Sequence, residues 1–155
     1  MNVLFVCLGN ICRSPTAEAV MTGLLAQAGL SDRVFVDSAG TADWHVGKPA
    51  DERSVAAAAE RGYDMSHLRA RQVNVDDFRN FDYVLAMDES NYQHLVLLCP
   101  ENARAQPKKL LAHYGRLEVQ DVPDPYYGGA DGFHQVLDLL EDACQSLLHE
   151  IQATL

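Results

Sequence analysis

The sequence predicts an α/β fold: one domain, residues 1–155, with a four-stranded parallel sheet and helices on both faces. Short apolar runs typical of buried strands alternate with longer segments of helical periodicity. Strands that alternate with helices in this way form parallel sheets covered on both sides. The chain has no repeat, linker or low-complexity tract, and 155 residues are enough to bury one core. We therefore expect a single domain.

The predicted strands are apolar runs at residues 3–8, 34–37 and 83–87, with a fourth near residues 108–112. The first helix is predicted to have Ser14 as its N-cap and Pro15 at its first position. Its apolar residues recur at helical spacing until Gly29 ends it. Further helices are predicted at residues 51–61, 88–99 and 133–151, with a loop at residues 121–131.

Composition and charge narrow the class of partner. The net charge of −10 argues against nucleic acid, because the phosphate backbone of a nucleic acid would be repelled. No run approaches the ~18 apolar residues of a membrane span, and the N-terminus lacks the basic segment of a signal peptide. We expect a cytoplasmic protein with neither nucleic acid nor membrane as partner.

The cysteines and histidines do not follow a metal-ligand pattern. Four cysteines in a cytoplasmic chain are not expected to form a disulfide framework, and six histidines show no spacing typical of a zinc site. We therefore expect no metal and no cofactor.

The segment CLGNICRS joins the first strand to the first helix and places five residues between Cys7 and Arg13. Ligands of parallel sheets bind beyond the carboxyl ends of the strands, often against a helix N-terminus. A loop this short can point successive backbone N–H groups inward as an anion nest. Arg13 can hold two phosphoryl oxygens, and the same positive groups stabilise a thiolate on Cys7. Gly9 is expected to permit the turn.

An alternative interpretation is a buried cysteine at a strand end beside a solvated arginine. It is the common case for an isolated cysteine–arginine pair. Here the strand before the loop and the helix after it meet each requirement of an anion site, so we favour a phosphate-binding loop.

Several longer motifs are spread along the chain: VLFVCLGNICRSPTAE at residues 3–18, DSAGT at 37–41, Trp44, HLRARQ at 67–72, FDY at 81–83, MDESN at 87–91 and DPYY at 124–127. Together these motifs resemble the low-molecular-weight protein tyrosine phosphatase family. The resemblance covers most of the chain apart from residues 100–120. The family fold is a four-stranded parallel sheet with flanking helices, in agreement with the pattern of elements.

The resemblance implies the catalytic roles. Cys7 is the nucleophile, Arg13 the phosphate clamp and Asp124 the general acid; composition alone would not select Asp124. The implied activity is hydrolysis of phosphotyrosine in proteins, and of small aryl phosphates, through a cysteinyl-phosphate. The implied phosphate-binding loop is Leu8, Gly9, Asn10, Ile11, Cys12, Arg13 and Ser14. The partners are phosphotyrosine-containing proteins, and the chain is expected to be a monomer or to self-associate weakly.

The resemblance also implies supporting residues around the loop. A hydrogen-bonded network shapes the loop and lets Ser14 assist the thiolate as a leaving group. Aromatic walls favour a phenyl ring at the cleft entrance. The network residues are Asn10, Ser14, Ser38 and His67, and the wall residues are Trp44, Tyr126 and Tyr127. We expect Asp88 to cap the following helix.

Cys12 lies in the same loop as Cys7, and the loop's curvature could bring the two sulfurs within bonding reach. We interpret Cys12 as a resolving cysteine, which turns an oxidised Cys7 into a reversible disulfide. The alternative is that Cys12 packs beneath the loop. Cys99 and Cys144 lie on apolar helix faces and are expected to pack.

Two other functions remain open on the sequence. A thiol-dependent arsenate reductase shares the fold and loop, but it needs further redox cysteines near the third strand, and residues 75–98 contain none. A non-catalytic phosphate-binding or phosphocarrier module would keep the loop without a general acid. The DPYY segment argues against that module.

Overall fold

The computed structural model describes residues 1–126 and 128–155. The strands are β1 (Asn2–Cys7), β2 (Phe35–Gly40), β3 (Tyr83–Ala86) and β4 (Pro107–Lys109). The helices are α1 (Arg13–Gln27), α2 (Glu52–Glu60), α3 (Asp77–Asn80), α4 (Glu89–Leu98), α5 (Leu110–Tyr114) and α6 (Ala130–Thr154). Within the described part of the chain, no helix is both long and apolar enough to cross a membrane.

The four strands form one parallel sheet in the order β2-β1-β3-β4. Cys7 at the end of β1 pairs with Gly40 of β2, and Val6 pairs with Ala86 of β3. The carboxyl ends of these three strands therefore share one edge of the sheet. The predicted four-stranded parallel sheet is confirmed.

Alternation along β1 divides the core into two layers. Val3 and Phe5 point into the layer formed with α1 and α6, whereas Leu4 and Val6 point into the layer formed with α3 and α4. All four side chains are fully buried. A strand covered on both faces needs apolar residues throughout, which explains why the sequence of β1 is a continuous apolar run.

The fourth strand is shorter and earlier than predicted. It ends at Lys109, and α5 begins at Leu110. Leu110, Leu111 and Tyr114 lie at helical spacing and are all buried, so the apolar residues at 110–112 belong to a helix face. The last helix begins at Ala130, just inside the predicted loop.

The start of α1 also differs from the prediction. Cys12 is the N-cap and Arg13 the first helical residue, so Ser14 and Pro15 lie within the first turn. The Ser14 hydroxyl lies 2.9 Å from the sulfur of Cys7. It therefore contacts the sulfur and does not cap the helix.

Candidate active site

Cys7 lies at the carboxyl end of β1, where the sheet gives way to the loop. Its side chain is buried, with 2% of the residue exposed. The Cys7 sulfur accepts a hydrogen bond from the backbone N–H of Asn10 at 3.3 Å and lies 2.9 Å from Ser14 Oγ. Two hydrogen-bonding groups therefore fix the position of this buried sulfur.

The tight turn of the loop falls at Asn10, whereas the sequence suggested Gly9. Asn10 has a φ of 58°, the left-handed region, and no other non-glycine residue in the described ranges has a positive φ. Asparagine tolerates this conformation better than most residues. A Cβ on Gly9 would lie 3.0 Å from Cδ2 of His45, a tight contact that a small movement of the His45 side chain would relieve.

A second close approach holds the loop against β2. A Cβ on Gly40 would lie 2.7 Å from the carbonyl oxygen of Leu8, which no ordinary side chain could accommodate. The backbone N–H of Thr41 donates to the carbonyl oxygen of Cys7 at 2.9 Å. The glycine of the DSAGT motif is thus required by the packing of β2 against the loop.

The Asn10 side chain connects the loop to its surroundings. Its Nδ2 donates to Ser14 Oγ at 2.8 Å and to Ser38 Oγ at 3.0 Å, and its Oδ1 accepts from the backbone N–H of Arg71 at 3.0 Å. These bonds hold Asn10 in its left-handed conformation. The structure therefore brings together three of the four predicted network residues, Asn10, Ser14 and Ser38, beside Cys7.

Glu18 extends this network, and the sequence analysis missed it. Ser38 Oγ donates to Glu18 Oε1 at 2.7 Å, so a chain of hydrogen bonds runs from Glu18 to Asn10. Burial raises the pKa of Glu18 from 4.5 to about 7, against the opposing effect of the Ser38 hydrogen bond. Two sequence signals could have indicated Glu18: its position one helical turn after Ser14, and its place at the end of the motif at residues 3–18.

His67 does not join the network, contrary to expectation. Its side chain is 69% exposed and its Nδ1 lies 3.8 Å from Asp64 Oδ2. It lines a separate cavity of about 460 Å³ at the amino ends of β1 and β2, which Glu18 also lines. On the loop side, the backbone N–H of Arg71 binds Asn10 Oδ1.

Arg13 is almost fully buried, with 3% exposed. Its Nη1 donates to Asp88 Oδ2 at 2.6 Å and to the carbonyl oxygen of Val122 at 3.2 Å. Burial opposes its positive charge, but Cys7 and Asp88 outweigh burial and raise the pKa of the guanidinium. Asp88 also caps α4 as predicted, since its Oδ1 accepts from the N–H of Asn91 at 2.8 Å. Arg13 is therefore a fixed cation beside the thiol.

Asp124 lies in the loop before α6, with its side chain 41% exposed. Its Oδ2 lies 3.7 Å from Nη2 of Arg13, and its Oδ1 accepts from the backbone N–H of Tyr126 at 3.0 Å. Asp121, earlier in the same loop, pairs with Lys109 at 2.6 Å and anchors the base of the loop. Only Asp124 of these two acids faces the arginine.

A cavity of about 270 Å³ opens above the loop. The proposed nucleophile, clamp and acid all line it. Trp44 and Tyr126 form part of its walls. Trp44 is 65% exposed and Tyr126 is 36% exposed, which is consistent with a position at the cavity entrance. Tyr127, the third predicted wall residue, lies outside the described residues. The lining is Cys7, Leu8, Gly9, Ile11, Cys12, Arg13, Trp44, His45, Asp124 and Tyr126.

Cys12 lies in the same cavity lining but is 95% buried, with 5% exposed. Burial raises the pKa of its thiol from 9.0 to about 12, with a hydrogen bond to Ser54 opposing the shift. Cys12 is therefore a protonated thiol at neutral pH. Among the described residues, no group of three or more His, Cys, Asp or Glu side chains could hold a metal ion.

Fold and site together define a class of protein. Its parallel α/β sheet carries a cysteine at the end of the first strand, and an arginine from the following helix lines the same cavity as that cysteine. The profile of the family described as low molecular weight phosphotyrosine protein phosphatase matches residues 2–155. The low molecular weight phosphotyrosine protein phosphatase of Schizosaccharomyces pombe is 44% identical over 153 residues, 97% of each chain. A Streptomyces coelicolor protein-tyrosine-phosphatase of low molecular weight is also 44% identical, over 97% of this chain and 93% of its own.

Solved structures agree with the sequence relatives. A crystal structure of protein tyrosine phosphatase from Entamoeba histolytica superposes with a TM-score of 0.94 at 45% identity, covering 99% of this chain and 98% of its own. The chain therefore belongs to the low molecular weight phosphotyrosine protein phosphatase family. It is an enzyme of the protein-tyrosine-phosphatase type.

Proposed function

We propose that this enzyme hydrolyses phosphotyrosine in proteins, and small aryl phosphates, through a covalent cysteinyl-phosphate on Cys7. The observation that carries the proposal is the convergence of Cys7, Arg13 and Asp124 on one cavity. A nucleophile, a fixed cation and an acid are the three groups that phosphate transfer to a thiol requires. The protein would act in the cytoplasm as a monomer or weakly associating chain.

In the first step, the Cys7 thiolate attacks phosphorus in line with the tyrosyl oxygen. A sulfur–phosphorus bond forms as the phosphorus–oxygen bond breaks, and the electron pair leaves with the phenolate oxygen. Asp124, in its protonated form, donates its proton to that oxygen. The exposed carboxyl of Asp124 lies at the cavity mouth, where a leaving group would depart.

Arg13 stabilises the charge on the transferring group. Its bonds to Asp88 and to the Val122 carbonyl oxygen both use Nη1. Nε and Nη2 can then donate to two phosphoryl oxygens, joined by the backbone N–H groups of the loop. Because Arg13 is already fixed, little reorganisation accompanies the reaction.

In the second step, water attacks the phosphorus of the cysteinyl-phosphate. Asp124, now a carboxylate, removes a proton from the water, and the sulfur leaves as a thiolate. The Ser14 hydroxyl, 2.9 Å from that sulfur, would donate to it as negative charge returns. Inorganic phosphate is released and Cys7 is regenerated.

The shape of the cavity supports an aryl phosphate over an alkyl phosphate. The sulfur is buried at the floor, whereas Trp44 and Tyr126 stand exposed at the rim. A phenyl ring would contact the aromatic walls while its phosphate reaches the buried sulfur, whereas the shorter side chain of phosphoserine would hold its phosphate further from the sulfur.

We also propose that oxidation of Cys7 is reversible through Cys12. The Cys12 thiol would attack the sulfenic sulfur of Cys7, forming a disulfide and releasing water. The two cysteines line one cavity, which supports this role. Because burial raises the pKa of Cys12 to about 12, its thiolate is scarce and the step should be slow at neutral pH.

The proposed activity is tested by turnover of p-nitrophenyl phosphate and of matched phosphotyrosine and phosphoserine peptides, without added metal. We expect the phosphotyrosine peptide to be hydrolysed and the phosphoserine peptide to be nearly inert. Cys7→Ser should abolish turnover while leaving phosphate binding and the fold intact. Turnover retained by Cys7→Ser would contradict the mechanism, and thiol-dependent reduction of arsenate with no peptide hydrolysis would favour a reductase.

A further inference from the structure

We propose that Arg53, outside the catalytic cavity, is a positioning residue that ties the Asp124 loop to the phosphate-binding loop. The inference rests on the proposed function, since it gives Asp124 the role of acid. Arg53 lies in the first turn of α2 and reaches both loops through Asp51 and Tyr126.

On one side, the Arg53 guanidinium binds Asp51. Nε donates to Asp51 Oδ1 at 3.1 Å and Nη2 donates to Asp51 Oδ2 at 3.0 Å. Asp51 in turn donates its backbone N–H to the carbonyl oxygen of Ile11 at 2.8 Å. Ile11 belongs to the phosphate-binding loop, so Asp51 fixes one end of the arginine relative to Cys7.

On the other side, Arg53 Nη2 donates to the carbonyl oxygen of Tyr126 at 2.9 Å. The guanidinium carbon lies 5.4 Å from the centroid of the Tyr126 ring and 4.8 Å from that of Phe133 in α6. The backbone N–H of Tyr126 donates to Asp124 Oδ1 at 3.0 Å. One residue thus accepts from Arg53 and donates to the proposed acid.

The contacts favour arginine for its shape as well as its charge. Two parallel N–H donors bind Asp51 while the flat face of the guanidinium lies over aromatic rings, an arrangement that the single ammonium of lysine cannot reproduce. The Arg53 side chain is 47% exposed. Exposed ion pairs add little to stability, so we expect this clamp to matter more for the placement of Asp124 than for the fold.

The experiment compares Arg53→Ala with Arg61→Ala. Arg61 follows α2 and pairs with Asp138 and Glu141 of α6, and it also donates to the carbonyl oxygen of His134; none of these partners is Asp51 or Tyr126. Each variant is assayed on phenyl phosphate, which needs a proton on its leaving oxygen, and on p-nitrophenyl phosphate, which needs it much less. We expect Arg53→Ala to lower kcat/KM, which reports formation of the cysteinyl-phosphate and not its hydrolysis, by about 10- to 100-fold on phenyl phosphate and by less than about 3-fold on p-nitrophenyl phosphate. Arg61→Ala should change both equally.

Three further measurements separate positioning from general damage. Inhibition by inorganic phosphate should be unchanged in Arg53→Ala, because the phosphate-binding loop is intact. Adding Arg53→Ala to Asp124→Ala should cause no further loss, since the acid it positions is gone. Arg53→Lys should show the same leaving-group dependence as Arg53→Ala. If the alanine variant does not fold, Arg53→Lys takes its place in the comparison with Arg61→Ala.

Equal losses on both substrates, an additive loss in the double variant, or full activity in Arg53→Lys would overturn the inference. These outcomes are distinct from failure of the proposed function. If Asp124→Ala itself shows no dependence on the leaving group, the assignment of the acid is wrong. If Asp124→Ala shows it and Arg53→Ala does not, only the role of Arg53 is rejected.

Discussion

Ser14 Oγ lies 2.9 Å from Cys7 Sγ, inside the first turn of α1 and shielded from solvent. The same hydroxyl accepts from Asn10 Nδ2 at 2.8 Å, so its own proton is directed away from Asn10. Its hydrogen can point to the Cys7 sulfur or to the carbonyl oxygen of Ala39, 3.4 Å away. The contact with the sulfur should strengthen whenever Cys7 carries negative charge.

We expect Ser14→Ala to slow breakdown of the cysteinyl-phosphate more than its formation. A hydrogen bond to a charged group contributes roughly 1.5–3 kcal/mol, equivalent to about 10- to 100-fold in rate. With p-nitrophenyl phosphate, rapid-mixing kinetics should show a burst of one nitrophenolate per enzyme followed by slow turnover. Thr22→Ala, at an exposed hydroxyl further along α1, serves as the control and should keep the burst amplitude and turnover of wild type. A Ser14→Ala enzyme with normal turnover would rule out this role.

Asp124→Ala should lose more kcat/KM on a substrate with a poor leaving group than on one with a good leaving group. On phenyl phosphate the loss should reach about 10²- to 10⁴-fold, the usual range for a general acid, with a much smaller loss on p-nitrophenyl phosphate. Asp121→Asn is the matched control, because Asp121 lies in the same loop but pairs with Lys109. It should keep the wild-type ratio of the two rates. If Asp124→Ala also keeps that ratio, another group donates the proton.

Glu18 should make the stability of the protein fall as pH rises. Its pKa is about 7 in the folded protein against an ordinary value of 4.5. Between these values the folded state holds a proton that the unfolded state has released, so folding weakens as pH increases through this window and then levels off. The full effect is on the order of 3.5 kcal/mol, since each pKa unit corresponds to about 1.4 kcal/mol.

Urea unfolding of wild type and Glu18→Gln at pH 5 and pH 8 measures this effect. Glutamine can still accept from Ser38 but cannot ionise, so the free energy of unfolding of Glu18→Gln should fall less between the two pH values. Glu101→Gln, at an exposed loop position, should behave like wild type. Parallel pH dependence in wild type and Glu18→Gln would show that Glu18 ionises normally.

Cys12→Ser should make oxidative inactivation irreversible. After brief treatment with peroxide, removal of the oxidant and addition of dithiothreitol, wild type should regain most of its activity, whereas Cys12→Ser should not. Because the thiolate of Cys12 is scarce at neutral pH, protection should improve as pH rises. Cys99→Ser is the control and should recover like wild type. Equal recovery in all three would leave Cys12 as a packing residue.

The loop could be predicted from the sequence because its chemistry is local. Cys7, Arg13 and the strand and helix that flank them are contiguous, so one short pattern carries both the geometry and the charge. Asp124 lies far along the chain, and physical reasoning from the sequence provided no ground for choosing it over Asp121 as the acid. Only the family resemblance separated the two acids, and the structure places Asp124 alone of the pair against Arg13.

The remaining differences have tertiary causes. His67 was expected in the network, yet the Asn10 side chain is bound by the backbone N–H of Arg71, and backbone donors leave no residue-specific signal in a sequence. The left-handed turn falls at Asn10 because three bonds to its side chain stabilise it there, and those partners come from separate parts of the chain. The limits of β4 shifted because buried strand and helix segments of this length look alike by hydropathy.

The buried position of Arg13 has a consequence for the kinetics of encounter. Its charge is enclosed and faces Asp88 and Asp124, while the whole chain carries a net charge of −10. An anionic phosphoprotein therefore diffuses toward a repulsive surface and meets attraction only at contact. Salt at 0.1 M screens charges that are more than about 10 Å apart, so added salt should raise the association rate constant for such substrates. The net negative charge of the protein should also speed the departure of the phosphate dianion.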